Sequence, residues 1–129
     1  MLKPLIIPDD ELTPKIVLDK QNNYFEISGK SLPENADIFF TPVTEWVKQY
    51  VQDPNTETVL NVKLNYFNSS SVRKVVDILI LFEKLCDTES KILVRWYYES
   101  GDEMIRDVGK DFQSVVKIPF QILPYESLD

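Results

Sequence analysis

Apolar and polar residues along this chain alternate with two different periods, and the change of period marks the elements. Lys15-Ile16-Val17-Leu18 and Tyr24-Phe25-Glu26-Ile27-Ser28 read as two short strands, joined by a hairpin loop over the polar run from Asp19 to Asn23. A loop from Gly29 to Asn35, containing Pro33, leads to Thr41-Pro42, which reads as the start of a first helix: threonine as cap, proline at the first helical position. Val43, Trp46, Val47, Tyr50 and Val51 share one helical face, and Asp53-Pro54-Asn55 ends it. From about Thr58 to Tyr66, Leu60, Val62 and Leu64 alternate with Asn61, Lys63 and Asn65, predicting a strand with one wetter face. A second helix is predicted from about Ser70 to Cys86, with Val72, Val75, Val76, Leu79, Phe82 and Leu85 as its core stripe. Ile78, Ile80 and Leu81 widen that stripe, which implies burial on several sides or a docking face. Ile92, Val94, Trp96 and Tyr98 alternate as a further strand, and Gly101-Asp102-Glu103 punctuates. Met104, Ile105, Val108 and Phe112 suggest a third helix weakened by Gly109, and Pro119 to Leu123 forms a last strand before a polar tail.

The order is ββαβαβαβ. Strands separated by helices favour right-handed crossovers and a parallel core, while the first hairpin supplies an antiparallel edge. The fold class expected is α/β: one domain over residues 1–129, with a mixed, mostly parallel sheet and helices mainly on one face. That topology is similar to STAS domains, the fold of anti-sigma factor antagonists. In those proteins a phosphorylatable serine or threonine stands at the start of the second helix, a point occupied here by Ser69.

Charge and composition narrow the function. The chain has 14 Lys and Arg against 21 Asp and Glu, a net charge of −7, which disfavours nucleic acid and anionic membrane surfaces as partners. Cys86 is the single cysteine, so an internal disulfide and a cysteine-rich zinc site are excluded; its place in an apolar pattern predicts a small buried core residue. The apolar start of the chain is short and broken by Pro4 and Pro8, unlike a signal peptide. No apolar run approaches the roughly eighteen residues of a membrane span, so the cytoplasm is the default location and no membrane insertion is expected.

The absence of histidine removes the Ser-His-Asp triad, and there is no Gly-x-Ser-x-Gly elbow and no phosphate-binding glycine loop. The chain therefore reads as a substrate of a kinase and not as a kinase, with no catalytic residues and no cofactor. Asp9-Asp10-Glu11 and Asp102-Glu103 lack the spacing of an EF-hand loop and read as solvated acidic clusters, not a metal site. Nothing places two carboxylates in an apolar cleft, as a hydrolase of that kind requires.

The candidate chemistry is in Tyr66-Phe67-Asn68-Ser69-Ser70-Ser71, where the strand period gives way to the helix period. Three hydroxyls there meet unpaired backbone N–H groups and a positive dipole end, a favourable place for a phosphate. Ser69 is the candidate acceptor, with Ser70 and Ser71 as alternatives and Asn68 beside them. The same residues also suit a plain helix cap with polar loop neighbours. Arg73 and Lys74, one turn on, suit either pairing with a phosphate or an ordinary solvated basic pair. Glu34 and Asn35 suit either approach to this helix start, helping to place a kinase's magnesium, or an Asx-type turn opening the next element. Trp46, Trp96, Tyr97 and Tyr98 are core by spacing, with any exposed member available as an interface anchor.

The chain also resembles, almost end to end, the SiaC family of bacterial regulatory phosphoproteins. The resemblance rests on Thr13-Pro14, on Gly29-Lys30-Ser31-Leu32-Pro33-Glu34-Asn35, on Phe39-Phe40, Trp46 and Tyr50, and on Tyr66 to Ser71. Trp96-Tyr97-Tyr98, Asp102-Glu103-Met104 and Gly109-Lys110-Asp111-Phe112 complete the ordered set. It implies a protein switch: phosphorylation by a kinase with a GHKL-type ATP site, and removal of the phosphate by a PP2C-type phosphatase. It further implies binding and activation of a diguanylate cyclase by the unphosphorylated form, raising cyclic di-GMP and promoting biofilm growth. The family's usual string is Asn-Thr-Ser-Ser, so its threonine maps onto Ser69, where this chain has serine; Leu32 also stands where an aromatic is expected.

Overall fold

The computed structural model describes residues 2–127; Met1 and the last two residues of the polar tail lie outside it. Its centre is one sheet of six strands lying side by side in chain order. β1 (Leu5–Ile7), β2 (Lys15–Asp19) and β3 (Tyr24–Ser31) pair antiparallel. β4 (Glu57–Phe67), β5 (Lys91–Glu99) and β6 (Phe120–Tyr125) continue the sheet parallel to β3. The crossovers are α1 (Ala36–Tyr50), α2 (Ser69–Glu83) followed by a 3₁₀ turn (Lys84–Asp87), and α3 (Glu103–Val115).

Register and alternation put all three helices on one face. Phe25, Leu60 and Val94 are in register, as are Ile27, Val62 and Trp96, and all six are buried. Phe25 meets Trp46 and Tyr50 of α1, Tyr50 meets Phe82 of α2, and Trp96 meets Phe112 of α3. Burying each such side chain stabilises the fold by about 1.5–3 kcal/mol relative to exposure. The alternate residues Glu26, Ser28, Asn61, Lys63 and Tyr97 line a shallow cleft on the opposite, wetter face. The α/β class, mixed sheet and one-sided helices thus match the sequence pattern.

Several boundaries differ from that pattern. β1 was not anticipated; it pairs with β2 through Leu5, Ile6 and Ile7, and the Trp46 indole N–H donates to the Lys3 carbonyl at 2.7 Å. The observed order is therefore βββαβαβαβ. The first helix begins at Ala36, not at Thr41-Pro42. Asn35 is the cap, its Oδ1 accepting the Ile38 N–H at 3.1 Å, and burial of Ala36 and Phe40 holds the added turn. Pro42 consequently lies inside α1, where it lacks an N–H to donate; the Thr41 hydroxyl donates to the Asp37 carbonyl nearby. The second helix ends at Glu83 and tightens into the 3₁₀ turn that carries Cys86. Cys86 is consequently half-buried at the core's margin instead of inside it, and partial burial raises its thiol pKa.

Gly109, a poor helix former by propensity, is a packing requirement in α3. A Cβ there would fall on the indole ring of Trp96, itself 1% exposed and anchored by donation of Nε1–H to the Ile105 carbonyl at 2.9 Å.

Candidate functional site

Because β3 to β6 run parallel, the starts of α1, α2 and α3 lie at one end of the sheet. The loop between β1 and β2 reaches the same end, where the Leu32 N–H donates to the Leu12 carbonyl at 2.7 Å. The predicted phosphoacceptor residues stand in this cluster of helix starts.

Asn68 is extended and caps α2, its Oδ1 accepting the Ser71 N–H at 2.9 Å. That leaves the first N–H groups of the helix, on Ser69 and Ser70, with no protein acceptor among the described residues. No acidic side chain occupies the first turn of α2, whereas Asp37 and Glu103 do so in α1 and α3. The positive end of the α2 dipole is thus the one not offset by a carboxylate of its own first turn.

The three serines are not equivalent. Ser71 is fully buried: its hydroxyl accepts from the Ser31 hydroxyl at 2.7 Å and donates to the Ser31 carbonyl at 2.8 Å. The Asn68 N–H donates to that same carbonyl at 3.2 Å, so the end of β3 and the start of α2 are tied at three points. Ser70 is exposed, and its hydroxyl donates to Asn68 Oδ1 at 3.0 Å, supporting the cap. Ser69 is exposed and its hydroxyl makes no hydrogen bond among the described residues.

Ser69 and Ser70 open into a cleft of about 530 Å³ shared with Glu34, Asn35, Asp37, Arg73 and Lys74. The approach of the Glu34–Asn35 loop to this helix start and the turn that opens α1 are therefore both present: Asn35 caps α1 and borders the cleft. Lys74 pairs with Asp37, Nζ to Oδ1 at 2.5 Å, bridging α2 to α1. That hydrogen bond and charge, aided by Arg73, hold the Asp37 carboxyl below its usual range. Arg73 itself is exposed and forms no ion pair among the described residues.

Sequence reasoning missed Asp37 and the structural role of Ser31. Asp37 becomes legible once Asn35 is read as the cap, because it then falls in the first turn. Ser31 carried no local signal, since its partner is forty residues away. A larger cleft, about 970 Å³, lies at the other end of the sheet between Lys20, Gln49 and Asp53. It is polar and open, Lys20 and Asp53 already pair there at 3.1 Å, and no serine, threonine or cysteine lines it. No group of acids, cysteines and histidines suited to a metal ion occurs among the described residues, and no helix there is long and apolar enough to cross a membrane.

The sequence profile of the family described as "SiaC family regulatory phosphoprotein" matches residues 7–125. An uncharacterised protein of Pseudomonas aeruginosa (strain UCBPP-PA14) is 30% identical over 125 residues, covering 97% of this chain and 99% of its own length. SiaC from P. aeruginosa, in the crystal structure of diguanylate cyclase SiaD in complex with its activator SiaC, superposes with a TM-score of 0.87 at 30% identity. That match covers 94% of this chain and 99% of the other. Apo-SiaC from the same organism superposes with a TM-score of 0.82 at 28% identity, covering 93% and 98%. A family match over nearly the whole chain, joined to the same fold from end to end, shows that this protein belongs to the SiaC family of regulatory phosphoproteins.

Proposed function

We propose that this single-domain protein is a phosphorylation-switched activator of a signalling enzyme, most simply a diguanylate cyclase, acting in the cytoplasm through binding and not through catalysis. The observation that carries the reading is the Ser69 hydroxyl: exposed, without a structural hydrogen bond, and at a helix start flanked by Arg73. Ser71 is buried and Ser70 supports the cap, so modification of either would disturb the fold more. Support for the partner class comes from the SiaC relative, which is the activator in a complex with a diguanylate cyclase.

In the modification, the Ser69 oxygen attacks the γ-phosphorus of ATP held by a GHKL-type kinase. The new O–P bond forms as the bond to ADP breaks, and the hydroxyl proton passes to the kinase. A PP2C-type phosphatase reverses it with water, returning the serine and inorganic phosphate. The phosphate adds about −1.5 to −2 charges to a neutral helix start. Burying that charge unpaired against a partner costs several kcal/mol, on the order of a hundredfold or more in affinity.

The test is affinity for, and activation of, the cognate cyclase. Ser69→Ala is expected to bind and activate constitutively, and the chain phosphorylated on Ser69 to bind at least about a hundredfold more weakly. Equal affinity of the two forms would overturn the switch and leave a constitutive activator.

A further inference from the structure

Among the described residues, the unmodified cleft holds Arg73, which forms no ion pair, and Lys74, whose ammonium is held by Asp37 at 2.5 Å. Arg73 lies four residues after Ser69, on the same helical stripe. Lys74 lies four residues after Ser70, on the flank of α2 that faces the start of α1. Both cations and both exposed serines border the same cleft.

A phosphate on Ser69 brings a charge near −2 into competition with one carboxylate of charge −1 for the same ammonium. The lysine stem has four rotatable carbons and a point charge, so it can follow the stronger field without backbone movement. The Asp37 side chain is 81% exposed, against 24% for Lys74, so water reaches the carboxylate side of the pair and screens it against a stronger competitor.

We propose that Lys74 is a phosphoryl-holding residue of this switch and that it transfers from Asp37 to the phosphate on modification. The transfer rests on the reading of Ser69 as acceptor and extends it, because it moves the effect to a second helix. Asp37 is left without its counter-ion in the first turn of α1. It is next in the chain to Ile38, which is 72% exposed and borders a neighbouring groove with Leu12, Pro33 and Phe39. One phosphoryl group thereby adds negative charge at two helix starts: its own at α2, and the released carboxylate at α1. The partner surface changes over both, while the backbone stays in place.

The experiment uses the full chain with phosphoserine installed at position 69 during translation, so no kinase is required. Phosphorus NMR follows the second ionisation of the phosphate, and carbon NMR of the side-chain carboxyl follows Asp37. In the phosphorylated wild type the phosphate midpoint is expected below its ordinary value of about 6. Lys74→Met should raise it by about half a pH unit or more, Lys74→Arg should keep it low, and Asp37→Asn should lower it further. The Asp37 midpoint should rise when Ser69 carries the phosphate. An Asp37 midpoint indifferent to the phosphate, together with a phosphate midpoint indifferent to Lys74→Met, would overturn the transfer. Lys74→Arg guards against a folding artefact. Cyclase affinity is measured separately, so loss of the transfer and loss of the switch are distinguishable.

Discussion

At Ser69, Ser70 and Ser71, three identical side chains in a row have three different fates, set by what each one touches. Ser71 closes a buried pair with Ser31, so Ser71→Ala leaves the Ser31 hydroxyl without its acceptor at 0% exposure. It is expected to cost about 1–3 kcal/mol in urea unfolding, whereas Ser69→Ala should stay within about 0.5 kcal/mol of wild type. Asn68→Ala should cost about 1 kcal/mol through loss of the cap. A different residue-scale test concerns the open face of the sheet, where the Tyr24 hydroxyl donates to Glu26 Oε1. The carboxylate partner, with partial burial, pushes the Tyr24 pKa up to about 12 from an ordinary 10.0. The folded state therefore holds this proton where the unfolded chain has lost it. The stability it contributes is complete below about pH 10 and disappears as pH rises toward about 12. Ultraviolet titration of the phenolates should show a late-ionising tyrosine that Tyr24→Phe removes.

At the scale of elements, Gly109 carries the clearest prediction. Alanine is the better helix former by about 1 kcal/mol, yet its Cβ would strike a ring that is itself locked by a hydrogen bond. Gly109→Ala is therefore expected to destabilise by about 1–3 kcal/mol in thermal or urea unfolding, with a shift in Trp96 fluorescence. Elements whose pattern is carried by their own residues were legible in the sequence: the alternation of β4 and β5 and the stripe of α2 needed no partner to be seen. β1 was not, because three residues between two prolines make a strand only by pairing with β2. The start of α1 was misread because Thr41-Pro42 carries a strong local signal that burial of Phe40 overrides. Within the site, the helix start beside the serines was legible from the change of period, whereas the choice of Ser69 among them rested on the resemblance to the family. The pairing of Lys74 with Asp37 was not legible, since that contact depends on how two helices settle against each other.

For the whole molecule, the arrangement separates what changes from what holds. The packed face joins three helices to one sheet, and the Ser69 hydroxyl, the proposed acceptor, stands outside it at the end of the strands. Phosphorylation of Ser69 is expected to leave the circular dichroism spectrum unchanged. The favourable helix dipole, about 0.3–1 kcal/mol, should raise the thermal midpoint by a few degrees at most. A large fall in the midpoint would instead mean that a phosphate on Ser69 loosens the core.

The chain-order arrangement of the six strands has its own implication for synthesis. A polypeptide leaving the ribosome N-terminus first meets, at each step, a neighbour that already exists: β3 waits for nothing after β2, and β5 docks onto β4 as it emerges. No strand must hold a gap open for one not yet made, as sheets with interleaved order require. Growth from one edge to the other shortens the time for which an unpaired central strand is available to a neighbouring nascent chain, the circumstance in which sheets of this size aggregate.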